Sequence, residues 1–280
     1  MFNYSKRSAR VASAAAILVA GSLTAVGTAG IANAATQDSH GHASAKPTIV
    51  LVNGAWADGA SFGTIGPRLR HDGYKVLNFS NPLRSLSGDS ADLNFFLKAK
   101  TSGPVVLVGH SYGGAVITDA ATSDSDVKAL VYIDAFAPDQ GESVLSLEGS
   151  PSASAAAAEF DEVPYAGAPA GDVDLYLKPA AFAASLANGL PKAEQHELFA
   201  RQNPVTFSAL NDKSSAPAWK TLPSWYVEGT QDHSIPLPLQ EKMAKRAHSH
   251  VTKVKAGHLS MLKAPSTIIR VIKRAVSATR

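Results

Sequence analysis

The stretch PVVLVGHSYGGAVIT, residues 104–118, decides how this chain is read. Its first half is a short run of β-branched and aliphatic residues without polar interruption, as a strand buried on both faces requires. Its second half is rich in small residues and suits a closely packed helix. Between them stands Gly109-His110-Ser111-Tyr112-Gly113, a G-x-S-x-G pentapeptide. So sharp a turn from strand to helix thrusts the serine outward in a strained backbone conformation, and Gly109 and Gly113 let neighbouring backbone approach closely. The following helix aims its amino end at the same spot, which favours a developing negative charge. A glycine-rich turn with an incidental serine is the bland alternative; the strand before and the helix after argue against it. The spacing G-x-x-x-G-G also differs from the G-x-G-x-x-G of dinucleotide-binding loops. Ser111 is therefore the candidate nucleophile.

The rest of the chain repeats the strand–helix theme outward from this point. Strands are expected at Thr48–Asn53 (TIVLVN), Lys75–Phe79, Pro104–Gly109, Val127–Ile133, Ser224–Glu228 and His250–Val254. Helices are expected at Ser61–His71, Asp89–Lys100 (Leu93, Phe96 and Leu97 on one face), Gly113–Ala121, Leu239–Ala247 and Thr267–Ser277. Strands alternating with helices predict an α/β fold, a mostly parallel sheet of about six strands with helices on both faces. Any active site then lies at the carboxyl ends of the strands. Residues from about 137 to 222 break the pattern. They hold no convincing strand, an alanine run at Ala155–Ala158, several prolines, and helical patterns near Ala180–Leu186 and Lys192–Arg201. A loop of that length without structure is implausible in a compact domain, so a mostly helical cap insertion over the strand ends is expected. Its Phe182, Leu186, Phe199 and Phe207 suit either an apolar lid or packing against the core.

The amino end reads differently. Lys6, Arg7 and Arg10 precede an apolar stretch from Val11 to about Ile31, and Ala32-Asn33-Ala34 follows. That order is the pattern of a secretory signal peptide spanning residues 1–34, cleaved near Ala34, with a secreted (extracellular) product. An uncleaved membrane anchor is the alternative, but Gly21, Ser22, Thr24, Gly27 and Thr28 interrupt the stretch, so no stable anchor is expected. Lys6-Arg7 is not a twin-arginine pair, which leaves general secretion as the simpler route. Residues 35–46 are a polar tail expected to be disordered, and a single folded domain is expected from 47 to 280. The 26 basic residues exceed the 23 acidic ones only because three of them lie in the first 34 residues, where no acid stands. The remainder is balanced, so no nucleic-acid partner is implied. With no cysteine, disulfides, thiolate metal sites and cysteine nucleophiles are excluded. The oligomeric state is not legible.

A serine hydroxyl needs a base, itself oriented by an acid. Among nine histidines, His40 and His42 lie in the tail, His71 at a helix end, and His196, His248 and His250 on the expected surface. His110 adjoins the serine on the strand, its side chain expected to point away. His258 lies between the last strand and the last helix, where the base of a strand-ordered triad belongs. Two acids stand at strand ends, Asp232 in EGTQD and Asp134 in YIDA. Asp232 is favoured, because Gly229 and Thr230 form a loop that can turn it toward His258; Asp134 then keeps a wall or hydrogen-bonding role, and His233 a place on the rim. An oxyanion would need two backbone donors, the N–H of Tyr112 and that of Ala55 in Asn53-Gly54-Ala55-Trp56. Trp56 reads equally as a pocket residue and as a core aromatic.

Taken together, NGAWADGASF, VLVGHSYGGAVIT, LVYIDAFAPDQGES, SWYVEGTQDHSIP and AGHLSML resemble the α/β-hydrolase superfamily. The likeness covers nearly everything from Pro47 onward and is weakest in the insertion. The branch it is most similar to comprises bacterial esterases that resemble plant methyl esterases and hydroxynitrile lyases. The resemblance implies no cofactor or metal, a helical cap, Ser111, Asp232 and His258 as triad, and Ala55 and Tyr112 as oxyanion donors. It implies a serine esterase that cleaves small-molecule carboxylic esters through an acyl-enzyme. Where the family usually has His-Gly, this chain has Asn53-Gly54, and the asparagine is expected to brace the loop instead. Three other functions stand beside this one. A lyase or a perhydrolase could occupy the same scaffold, the lyases needing a cap lysine (Lys178, Lys192, Lys213 or Lys220) near the triad. A non-catalytic ligand-binding protein of this fold is the second, and a structural surface protein the third.

Overall fold

The computed structural model describes residues 46–149 and 153–279. The candidate signal peptide, and all of the polar tail except Lys46, lie outside the described residues. From the amino end the elements are β1 (Thr48–Val52), α1 (Ile65–His71), β2 (Val76–Phe79), α2 (Leu86–Lys100), β3 (Val105–His110), α3 (Tyr112–Ala120) and β4 (Val127–Ile133). Next come α4 (Val144–Glu148), α5 (Ala153–Glu159), β5 (Phe160–Val163), β6 (Asp174–Leu177), α6 (Pro179–Ala184), α7 (Lys192–Ala200), β7 (Val205–Thr206) and α8 (Phe207–Asn211). The chain closes with β8 (Ser224–Gly229), α9 (Leu237–Arg246), β9 (His250–Val254), α10 (Ser260–Lys263) and α11 (Pro265–Ser277).

Six strands form one parallel sheet in the order β2-β1-β3-β4-β8-β9. The side-chain alternation of a strand divides its residues between two faces. Val50, Val52, Leu107, Leu130, Tyr132 and Tyr226 face one core with Leu93 and Leu97 of α2, Val116 and Ile117 of α3, and Met243 of α9. Ile49, Leu51, Val106, Val108, Val131 and Val227 face the other with Ile65 and Leu69 of α1 and Ile268 and Ile272 of α11. Burial on both faces explains why the strands read as continuous apolar runs rather than alternating ones. Leu93 and Leu97 are buried and Phe96 packs against the same core, the face expected of this helix, while Phe95 is 71% exposed. The expected first helix is split, a 3-10 turn at Gly59–Phe62 preceding α1.

The insertion between β4 and β8 departs from expectation. It carries helices, but also an antiparallel three-stranded sheet, β5-β6-β7. These strands escape a reading of hydrophobic pattern because β7 has two residues and β5 (FDEV) is mostly exposed. Leu175 of β6, Val205 of β7, and Ala209 and Leu210 of α8 extend the sheet's own core. Leu177, Phe182, Leu186 and Ala187 form a separate cluster inside the cap. Of the four apolar cap residues singled out in sequence, Phe182 and Leu186 are therefore interior, Phe199 packs on Phe182 edge-to-face at 5.5 Å, and Phe207 is 43% exposed.

Candidate active site

At the end of β3 the chain turns into α3 through a single residue. Ser111 has φ 53° and ψ −127°, a region costly to any residue with a Cβ. The surroundings hold it there. Its N–H donates to the Ile133 carbonyl (3.3 Å), and its carbonyl accepts from Gly114 N–H (2.9 Å) and Phe136 N–H (3.1 Å). Gly113 lies so close under the Val52 and Asn53 carbonyls that a Cβ would collide with them. A Cβ on Gly54 would come within 2.5 Å of the Ser111 Cβ, so only glycine lets the loop after β1 lie against the serine. The Tyr112 hydroxyl donates to Asp89 Oδ2 of α2 (2.8 Å), pinning the first turn of α3. Burial pushes that Asp89 carboxyl up to about 6.

Asp232 and His258 meet beside this turn. The His258 Nδ1–H donates to Asp232 Oδ2 at 2.9 Å, and both side chains are buried. The carboxylate is held on all sides. Its Oδ1 accepts from the N–H groups of Ser234 (2.8 Å) and Ile235 (3.0 Å), and its Oδ2 accepts from Gln240 Nε2 (3.0 Å). With Nδ1 donating to the acid, Nε2 carries the lone pair; it has no hydrogen-bond partner among the described residues. Nucleophile–base hydrogen bonds are often long in the absence of substrate and tighten when it binds.

His110, the residue before the serine, lies against His258. The two rings are 4.8 Å apart between centroids, and His110 Nε2–H donates to the His258 carbonyl (3.0 Å). Burial, and then the neighbouring His258, hold His110 well below the usual histidine range. Burial thus disfavours a charge on His110. Asp134 is also fully buried, with φ 43°. Its Oδ2 accepts from Ser260 N–H (3.1 Å), and His258 is bonded to Asp232 instead. Burial, reinforced by Asp232, raises the Asp134 carboxyl well above the usual carboxylate range. Of the two carboxyls at strand ends, Asp232 is thus the one that touches the histidine. The remaining described histidines, His71, His196, His233, His248 and His250, are exposed. His233 meets only the cap, its Nδ1–H donating to the Ala184 carbonyl (3.1 Å).

The loop after β1 is braced by its asparagine. Asn53 Nδ2 donates to the carbonyls of Gly54 (3.1 Å) and Ala57 (2.9 Å). Asn81 donates to the Asn53 carbonyl (3.0 Å) and, through its N–H, to Asn53 Oδ1 (3.4 Å). Ala55 is buried in the turn so formed. Trp56, at φ 54°, reaches into the cap: its Nε1–H donates to the Leu175 carbonyl (2.9 Å), and its ring stacks on Phe160 at 5.6 Å. Trp56 also lines a cavity with Phe182, Leu186, Leu198, Arg201 and Leu259, small enough to hold about one water. Ser111 and His258 do not line it, and are only 4% and 1% exposed. The cap lysines stay at the periphery. Lys178 faces Asp161 (3.7 Å) and Lys220 pairs with Asp139 (2.5 Å), while Lys192 and Lys213 are exposed.

Several site residues are absent from the sequence reading. Gln240 gave no signal, standing in a helix eight residues from its carboxylate partner. Asn188 binds backbone atoms of distant loops, and no local motif marks it.

Comparison with known proteins gives the same frame. The model of the Alpha/beta hydrolase family matches residues 49–271. A carbendazim hydrolyzing esterase of Nocardioides sp. (strain SG-4G) is 36% identical over 110 residues, 35% of this chain and 46% of that protein; the matched region thus spans less than half of the relative's length. Among solved structures, a pyrethroid hydrolase from Sphingobium faniae JZ-2 superposes with a TM-score of 0.65 at 21% identity, covering 83% of this chain and 98% of the other. Polyneuridine aldehyde esterase superposes with a TM-score of 0.69 at 19% identity, covering 82% and 98%. At such identities these two structures establish shared architecture. With a family model spanning β1 to α11, a single parallel sheet and a strained serine at the end of its third strand, the chain belongs to the α/β-hydrolase family.

Proposed function

We propose that this protein is a serine esterase, exported from the cell, that cleaves small carboxylic esters through an acyl-enzyme. The observation that carries the reading is the buried Asp232–His258 hydrogen bond beside a serine in strained conformation. In this mechanism Ser111 Oγ attacks the ester carbonyl carbon while His258 Nε2 accepts its proton. Asp232 stabilises the imidazolium through Nδ1–H. The negative oxygen of the tetrahedral intermediate accepts from the N–H groups of Ala55 and Tyr112, each worth about 2.7–4 kcal/mol at this position. The C–O bond then breaks, the alcohol departs with the proton from His258, and water hydrolyses the acyl-serine by the same steps.

The esterase and hydrolase names of the relatives support ester hydrolysis as the reaction class. The peripheral cap lysines count against a lyase, which would need one beside His258. Because Ser111 and His258 are almost wholly buried, substrate enters only when the residues covering them shift. Export rests on residues 1–34 alone; protein recovered from culture medium is expected to begin after Ala34, and protein retained in the cells with its amino end intact would overturn it. The catalytic reading is tested with a series of p-nitrophenyl esters of increasing acyl length alongside a cyanohydrin. Ester turnover that disappears in Ser111→Ala is expected. Cyanohydrin cleavage without ester turnover would overturn it.

A further inference from the structure

A base on one loop and a carboxylate on another work together only if the loops keep their register. Asp232 sits in the turn after β8, and His258 in the turn after β9. The turns touch at a backbone hydrogen bond, Gln231 N–H to the Ala256 carbonyl (3.0 Å). A third segment, from the cap, joins them again. Asn188 lies between α6 and α7. Its Nδ2 donates to the Gln231 carbonyl (2.7 Å), and its Oδ1 accepts from His258 N–H (3.2 Å). It packs so closely over Gly257 that a Cβ there would collide with both its carbonyl and its amide.

The turn carrying Asn188 is itself held. Asn188 N–H donates to the Ser185 carbonyl (3.3 Å), and Gln195 Nε2 of α7 donates to the carbonyls of Ala187 (3.1 Å) and Leu190 (3.2 Å). Leu186 and Ala187 anchor it in the cap's apolar cluster. A carbonyl on one side and an N–H on the other dictate which way the amide faces, and require donor and acceptor on one short side chain. The base therefore has both backbone polar groups fixed by side chains: its N–H by Asn188 of the cap, its carbonyl by His110 of the strand that carries the serine.

We propose that Asn188 is a positioning residue that clamps the Asp232 and His258 loops together, making the cap part of the support of the catalytic base. The proposal rests on the serine-esterase reading. Displacements near 1 Å at a reacting group cost up to about 100-fold in rate, so loss of the clamp is expected to slow the chemical step by about 10- to 100-fold with KM changed far less. Asn188→Leu removes both hydrogen bonds at similar volume. Asn188→Asp keeps the acceptor for His258 N–H and loses the donor to Gln231.

The test follows reaction of each purified variant with a fluorophosphonate, recording both the rate constant and the fraction of protein finally labelled. Expected are a full labelled fraction, a rate lowered most in Asn188→Leu and less in Asn188→Asp, and a matching order of kcat for an ester. Wild-type rates in both variants would overturn the proposal. So would a reduced labelled fraction that reacts at the wild-type rate, since that is loss of folded protein rather than of orientation. Should Asn188→Leu not fold, Asn188→Asp decides alone, a wild-type rate overturning the proposal. A wild-type protein that takes no label refutes the esterase reading and the clamp with it; labelled wild type with unchanged variants refutes the clamp alone.

Discussion

The sheet and the cap of this molecule hold the site in different ways. The sheet presents Ser111, Asp232 and His258 at the ends of β3, β8 and β9, where parallel-strand geometry brings three distant segments together. Its grip is backbone-deep: the strained serine is locked by Ile133, Gly114 and Phe136, and the acid by four hydrogen bonds. The cap touches the site through a few side chains, Asn188 on the loops and the Leu175 carbonyl on Trp56. On the proposed esterase reading, the difference teaches that sheet residues set the chemistry, whereas cap residues set access and fine alignment. Substitutions in the sheet, and at the Asn188 clamp, should therefore lower kcat, whereas those at the cap's contact with Trp56 should act mainly on KM.

The sharpest break in that comparison lies within the sheet, between two buried carboxyls. Asp232→Asn is expected to lower kcat by about 10⁴-fold, since the amide favours the wrong tautomer of the base. Asp134→Asn should keep kcat within about tenfold, because Asp134 makes no bond to His258 and an amide oxygen can still accept from Ser260 N–H. Steady-state kinetics on both variants checks this; the reverse order would move the acid to Asp134. At the border, Trp56→Phe keeps an aromatic ring on Phe160 but removes the hydrogen bond to Leu175. A loss of that size, about 1 kcal/mol, should raise KM about fivefold and leave kcat unchanged. A fall in kcat of tenfold or more would show that the border carries chemistry.

The smallest effect concerns the foundation of the serine turn. Asp89, raised from 3.8 to about 6 by burial, binds its proton more tightly in the folded chain than in the unfolded one. Its contribution to stability therefore rises as pH falls from above 6 toward 4. Asp89→Asn removes that dependence. Relative to wild type, the variant should lose up to about 3 kcal/mol of advantage between pH 7 and pH 4, read as the difference in thermal midpoint across that range. A difference that does not change with pH would contradict the assignment.

Sequence and structure agree where local pattern and topology point the same way. GHSYGG between an apolar strand and a small-residue helix admits few other folds, His258 stands at a position that strand order selects, and Asp232 was preferred to Asp134, also at a strand end, through its Gly229-Thr230 loop. The cap was less legible. β5 is short and solvent-facing and β7 has two residues, so neither carries the alternation that marks a strand. Asn188 was invisible for a different reason: its partners are backbone atoms 43 and 70 residues away, and a backbone group leaves no mark in the identity of its residue. His110 was placed away from the serine, as strand alternation suggests, yet its ring meets the base arriving from β9. The brace at Asn53 was legible as a departure from the family pattern, and its partners Asn81 and Ala57 only from the fold.

The measurement that bears most directly on Ser111 as nucleophile is the mass of the intact protein after exposure to a fluorophosphonate, followed by mapping of the modified peptide. A single adduct on Ser111, absent from Ser111→Ala, is predicted. An unlabelled wild type, or equal labelling of Ser111→Ala, would contradict the mechanism.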